Sequence, residues 1–157
     1  MNEERYHKIE NTPNYKAYTF VSEGPHGELT KVVTFYEIKS LADTFNLALG
    51  TVLPNGEIDF LTITNNGDRN KILVTIAWIV GIFMEHYTGK SVYFTGSDNR
   101  RTQLYNRSIA YGYDELIKTY HLYGDKSLDE DIHEFEPFEK GKKYSGFLVE
   151  RKIVTDE

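Results

Sequence analysis

Two short stretches carry residue types suited to holding a charged ligand. The first is Gly96-Ser97-Asp98-Asn99-Arg100-Arg101-Thr102-Gln103-Leu104-Tyr105-Asn106-Arg107. A strand that ends in Gly-Ser and opens a helix aims N–H groups outward, and a helix start carries partial positive charge. Arg101, in the first turn, adds a bidentate grip for a phosphate or carboxylate. Arg100 and Arg107 lie seven positions apart, on one helix face. Three arginines within eight residues stand out in a chain of net charge −6. The stretch is not a P-loop, because Gly-x-x-x-x-Gly-Lys-Ser/Thr is absent. The plainer reading pairs Arg101 and Arg107 with the chain's many acidic residues.

The second stretch is Asn65-Asn66-Gly67-Asp68. Asn and Gly tolerate left-handed backbone, and Asp is a good N-cap. Its plainer reading is a strand-to-helix corner. Its functional reading sets the corner beside the Gly96-Ser97 turn, since sites in open sheets favour the strand ends. The expected anion site therefore comprises Asn65, Asn66, Gly67, Asp68, Gly96, Ser97, Arg101 and Tyr105. Nucleic-acid phosphate is one anion such a site would take.

Metal chemistry has less support. His86 follows Glu85, and His121 and His133 are twelve apart, so neither His-x-x-x-His nor His-Glu-x-x-His occurs. The element order resembles the ribonuclease H type of nuclease fold. That fold needs carboxylates on its first strand, its first helix and the end of the following strand to hold two metals. Here the third position falls at Gly96 or Ser97. An alternative function, a magnesium-dependent phosphodiester hydrolase, would have to use Asp68 and Asp98. The expected site includes no metal and no cofactor.

The elements that position these residues emerge from periodicity. Tyr15 to Val21, Leu29 to Lys39, Phe45 to Val52 and Ile58 to Thr64 alternate apolar and polar residues as strands do. Gly24-Pro25 and Pro54-Asn55-Gly56 mark turns between them. The four strands form an antiparallel meander. A helix is expected from about Arg69 to Tyr87, with Asp68 before it and Gly89 after it. Ser91 to Thr95 is a short strand. A second helix begins near Asn99 and runs to Ala110, or to Lys118 with a break near Gly112. Thr119 to Tyr123 and Phe147 to Val149 read as later strands. Residues 125–139 hold seven acidic side chains against one lysine, the pattern of a solvated loop. Phe135, Phe138, Tyr144 and Phe147 pack the C-terminal strand on the sheet, or stack bases among the lysines.

The fold class is thus α+β, with the meander followed by helix, strand, helix and one or two further strands. Residues 1–14 form an N-terminal arm, 15–152 a single domain and 153–157 a tail. On the first helix, Trp78, Ile79 and Ile82 form an apolar stripe. Either another part of the chain covers it, or it is a self-association surface for a homodimer or a partner protein.

Twelve Tyr and nine Phe in 157 residues fit half-buried sheet faces. The acidic balance argues against non-specific nucleic-acid binding. The absence of cysteine removes disulfides, thiolate zinc sites and thiol nucleophiles. Met1 to Arg5 lacks the apolar core of a signal peptide. The longest apolar run, Ile72 to Met84, is shorter than the ~17 residues a membrane span needs. The expectation is a soluble cytoplasmic protein with no membrane partner.

Several blocks also carry a likeness. These are Ser22-Glu23-Gly24-Pro25, Lys31-Val32-Val33, Phe45-Asn46-Leu47-Ala48-Leu49-Gly50, Asn65-Asn66-Gly67-Asp68, Gly96-Ser97 with Arg101-Thr102 and Leu104-Tyr105, Pro137-Phe138, and Phe147-Leu148-Val149 before Arg151-Lys152. Together they resemble a family of small proteins of unknown function found mostly in Bacteroidetes-type bacteria. The likeness runs from about Tyr15 to Lys152 and implies one complete family domain in a bacterial cytoplasm. It brings no activity, and Arg100 and Arg107 lie outside its pattern.

Overall fold

The structure, a computed structural model, describes residues 4–60, 66–96, 98–129 and 131–152. In chain order its elements are β1 (Glu10–Asn11), β2 (Ala17–Gly24), β3 (Gly27–Glu37), β4 (Thr44–Val52), β5 (Ile58–Asp59), α1 (Arg69–His86), β6 (Ser91–Phe94), α2 (Asn99–Leu116), β7 (Tyr120–Asp125), β8 (Phe135–Pro137) and β9 (Gly146–Arg151). The strands form one mixed sheet in the order β1-β2-β3-β4-β6-β9-β7-β8, and β5 adds to β4. The fold is α+β, as the periodicity implies.

The meander runs through β2, β3 and β4 with antiparallel register, for example Val33 opposite Leu49. The fourth expected strand is paired over Ile58–Asp59, Phe60 is a bend, and its remaining residues, 61–64, lie outside the described residues. After α1 the chain returns to the sheet beside β4 and parallel to it, with Phe45 opposite Val92. This βαβ crossover decides the site. Parallel neighbours share a carboxyl end, and the helices that bracket β6 both begin at that end.

Both helices lie on one face of the sheet. Alternation on β3 sends Lys31, Val33 and Phe35 to that face together. Helix α1 buries Thr75, Ile79, Val80, Phe83 and Met84 against it. Phe83 stacks on Phe35 with ring centroids 4.0 Å apart and meets Phe45 edge-on at 5.0 Å. Helix α2 sets Ile109 against Phe138, Tyr144 and Phe147, while Phe94, Leu116 and Leu122 border both clusters. The Tyr120 hydroxyl donates to the Ala77 carbonyl (3.1 Å) and so ties β7 to α1.

Two expectations need correcting. Helix α2 runs unbroken through Gly112, which is buried. Residues 125–139 are not simply a solvated loop, since β8 pairs with β7 inside them. Asp125 is only 2% exposed. Its carboxylate accepts the Ser127 and Glu134 amides, the Tyr93 hydroxyl at 3.2 Å, and pairs with His133 at 2.8 Å. One acidic residue of the run thus organises the segment from within, because four partners replace its hydration. The carboxylate and burial together hold the Tyr93 hydroxyl proton, raising its pKa, with burial the larger cause.

Candidate functional site

Between α1, α2 and the sheet lies a cavity of about 270 Å³. Its polar end is built by the starts of both helices and the facing part of the sheet, with Lys31, Thr51, Asn66, Asp68, Arg100 and Arg101. Further along the helices its walls are aliphatic and aromatic, with Ile72, Ile76, Leu104, Tyr105 and Ile109 prominent. Asn66, Asp68, Arg101 and Tyr105 from the expected site therefore meet in one place. Gly67 and Gly96 shape the adjoining turns without lining it. Asn65 and Ser97 lie outside the described residues.

The Asn66–Asp68 corner is heavily bonded within the protein. Asn66, 2% exposed, donates to the Gly27 carbonyl (3.0 Å) and to Ser22 Oγ (3.2 Å), and it accepts the His26 amide (2.8 Å). It therefore clamps the β2–β3 turn. That turn must be tight: a Cβ on Gly24 would sit 1.8 Å from the Asn66 carbonyl oxygen. Asp68 stands at the N-cap position of α1 but makes no side-chain cap bond. Its carboxylate instead accepts the Ser22 hydroxyl (2.6 Å) and the Tyr6 hydroxyl, which anchors the N-terminal arm. Burial raises the Tyr6 pKa, and the bond to Asp68 adds to the rise.

The start of α2 is stapled in a similar way. Asp98 accepts the Arg101 amide (2.8 Å), a regular N-cap. Thr102 Oγ1 accepts the Gly96 amide (3.1 Å) and donates to the Asp98 carbonyl (3.0 Å). Only glycine fits at 96, where a Cβ would lie 2.4 Å from the Thr102 nitrogen. The Gly96 amide, expected as an anion donor, is therefore occupied. Asp68 and Asp98 are likewise committed to hydroxyl and amide donors. Among the described residues, no group of three or more His, Asp or Glu side chains is arranged to hold a metal ion.

Two buried side-chain cations border the same end of the cavity. Arg101 is 8% exposed, and its guanidinium donates to the Phe60 carbonyl. Among the described residues no carboxylate forms an ion pair with it. Lys31 is 4% exposed, and its Nζ donates to Thr51 Oγ1 at 2.7 Å across the β3–β4 register. Burial lowers the Lys31 pKa. Asp68 opposes that, the Arg101 guanidinium lowers it further, and Asp59 opposes again. The two buried cations thus repel one another across the end of the cavity. Burial also raises the Tyr105 pKa, with Arg101 acting against it and Asp98 with it. Arg69 and Arg100, both exposed, stand at the rim.

Lys31 was not among the expected site residues. Its signal was its phase: it sits in step with Val33 and Phe35, so it faces the core despite its charge. The apolar neighbour Val32, also buried, hides that phase by making both faces of β3 read as interior.

The expected contact stripe on α1 divides. Ile79 is 0% exposed and Ile82 is partly buried, both against the main core. The sheet itself covers them, so Ile79 cannot reach a partner in this fold. Trp78 is 48% exposed, with the Arg5 guanidinium 4.1 Å from its ring centre.

No helix is long and apolar enough to cross a membrane among the described residues. A family model described as a family of unknown function, DUF6934, matches residues 2–152. The chain belongs to that family. No curated protein and no solved structure matches it.

Proposed function

We propose that this member of a family of unknown function binds a small anion, without catalysis, at the cationic end of the inter-helix cavity. The observation that carries the reading is the burial in the cavity wall, beside Lys31, of Arg101, which no carboxylate pairs among the described residues. A buried charge costs free energy unless it is paired. The Phe60 carbonyl satisfies a hydrogen bond of Arg101 but brings no charge. An anion between the two side chains would remove the repulsion and form charge-assisted bonds, worth roughly 1.5–3 kcal/mol each.

The donors are therefore Lys31 and Arg101, with Arg100 and Arg69 steering from the rim. Asn66, Gly67, Asp68 and Gly96 fix the corners that hold them. Recessed cations in a chain of net charge −6 suit a small anion better than a nucleic-acid backbone, which is gripped by exposed Lys and Arg. The test is thermal unfolding with sulfate, phosphate or acetate added at constant ionic strength. Ligand at about 100 times its Kd stabilises by ~2.7 kcal/mol, so the melting temperature should rise in wild type and stay flat in Arg101→Met. Arg107→Met, on the exposed side of α2, should behave as wild type. No shift with any anion, or an equal shift in Arg101→Met, would rule the site out.

A further inference from the structure

The cavity continues well past its charged end, and that continuation points to a ligand class. We infer that the site takes a monoanionic organic acid with an apolar body, its carboxylate between Lys31 and Arg101 and its body between α1 and α2. The inference rests on the anion site proposed above and goes beyond it in naming the chemical class to which the charge belongs.

Three observations carry it. First, the walls beyond the charged end are Ile72, Leu73, Ile76, Leu104 and Tyr105, all only partly buried. Apolar surface facing a cavity gains by covering, and a hydrated inorganic ion covers none of it. Second, the size fits. At ~30 Å³ per water-sized group, about 270 Å³ holds roughly nine such groups, far more than an oxyanion needs. Third, the charge is limited. The Asp68 carboxylate lines the same end and is fixed there by Ser22 and Tyr6. It disfavours a second negative charge, so a carboxylate suits the end better than a phosphate dianion.

The charged side chains gather at the helix starts, and the walls further along the helices carry no charge. The charged groups are Asp68, Arg69, Arg100 and Arg101, at the helix starts, together with Lys31 on the sheet. One turn and two turns further on, α1 offers Ile72 and Ile76, while α2 offers Leu104 and Ser108. A ligand with its charge at one end and a body of a few bonds matches that order. A ligand charged at both ends does not.

The experiment is calorimetric titration of the full chain with acetate, hexanoate, octanoate and decanoate below their aggregation concentrations, with hexanol and inorganic phosphate as comparators. Affinity should rise about fourfold per methylene and then level off when the cavity is full. Hexanol should bind at least tenfold more weakly than hexanoate. Arg101→Met should weaken every acid by a similar factor and leave hexanol unchanged. Ile76→Trp should make the rise level off at a shorter chain. Ser108→Leu adds bulk on the facing helix and serves the same purpose if the tryptophan variant does not fold by circular dichroism.

The failures are distinct. Phosphate and acetate binding as well as decanoate would overturn the apolar body while leaving the anion site. Binding by none of the anions would overturn both. A chain-length dependence in which hexanol matches hexanoate, or which Arg101→Met leaves untouched, would overturn the placement of the carboxylate between the two cations.

Discussion

Helix α1 has two sides with opposite fates. Toward the β2–β4 part of the sheet it presents Ile79, Phe83 and Met84, which are buried among Val33, Phe35 and Phe45 with stacked and edge-on rings. Toward α2 it presents Ile72 and Ile76, which border a cavity and remain partly exposed. The first side is closed by strand alternation, which brings Val33, Phe35 and Phe45 to the helix. The second side would need complementary bulk from α2, and that helix offers Leu104, Ser108 and Ile109. One helix therefore both holds the fold and leaves a space, and the charge sits only in the space. Residues that stabilise should separate from residues that bind.

The largest expected effect tests the closed side. Phe83→Ala removes a ring stacked on Phe35 and should cost about 3–5 kcal/mol, read as a lower urea midpoint. Anion affinity of the folded fraction should stay within a few-fold of wild type. A large loss of affinity in that fraction would join the two sides into one unit and break the contrast.

Asn66→Ala comes next. It strips partners from Ser22, His26 and Gly27 and should cost about 1–3 kcal/mol for the buried groups left unpaired. Because Asn66 clamps the turn rather than the ligand, hydrogen exchange should quicken at residues 24–28. Unchanged exchange there would place its role elsewhere.

A smaller effect of opposite sign is expected at Lys31. Its folded pKa is lowered, so the unfolded chain binds the proton more tightly than the folded one. The cost of burying the charge is complete below the folded value. It is relieved as pH rises from there toward the unfolded value of about 10.4. Burial is the largest influence on it, and Thr51, Asp68, Arg101 and Asp59 are among the groups acting on it. Lys31→Met should thus be more stable than wild type at neutral pH, with the difference shrinking as pH climbs, and should lose anion binding roughly 10- to 100-fold. Chemical denaturation at neutral and alkaline pH reads the sign. A variant less stable at neutral pH would mean that Lys31 is a structural cation already satisfied by the fold.

The smallest effect belongs to Tyr18. Its hydroxyl is buried in the sheet-facing core without a hydrogen-bond partner among the described residues. Burial raises its pKa, followed by the influence of Tyr15 and Tyr87. Tyr18→Phe should change stability by ~0 to +1 kcal/mol, measured by denaturant midpoint. A loss above that range would reveal a partner for the hydroxyl.

The order of elements was legible because local patterns agree with the fold. Alternation marked β2, β3 and β4, and the Gly96-Ser97 turn marked the approach to α2. The site was only half legible. The Arg101 stretch stood out by composition, and Asn66 and Asp68 by turn chemistry, but their bonds did not. Asp68 caps nothing with its side chain because Ser22 and Tyr6, far away in sequence, claim it. Lys31 was hidden among Val32 and Val33, and its nearness to Arg101 depends on the parallel β4–β6 pairing, a contact no local pattern encodes. Asp125 was read as one more solvated acid, although Tyr93 and His133 enclose it.

The most direct test of the anion site is a crystal structure grown in bromide, with anomalous scattering used to locate the ion. A bromide peak bridging Lys31 Nζ and the Arg101 guanidinium in wild type, and absent from Lys31→Met, is the predicted result. Bromide found only on exposed lysines and arginines, with none between those two side chains, would contradict it.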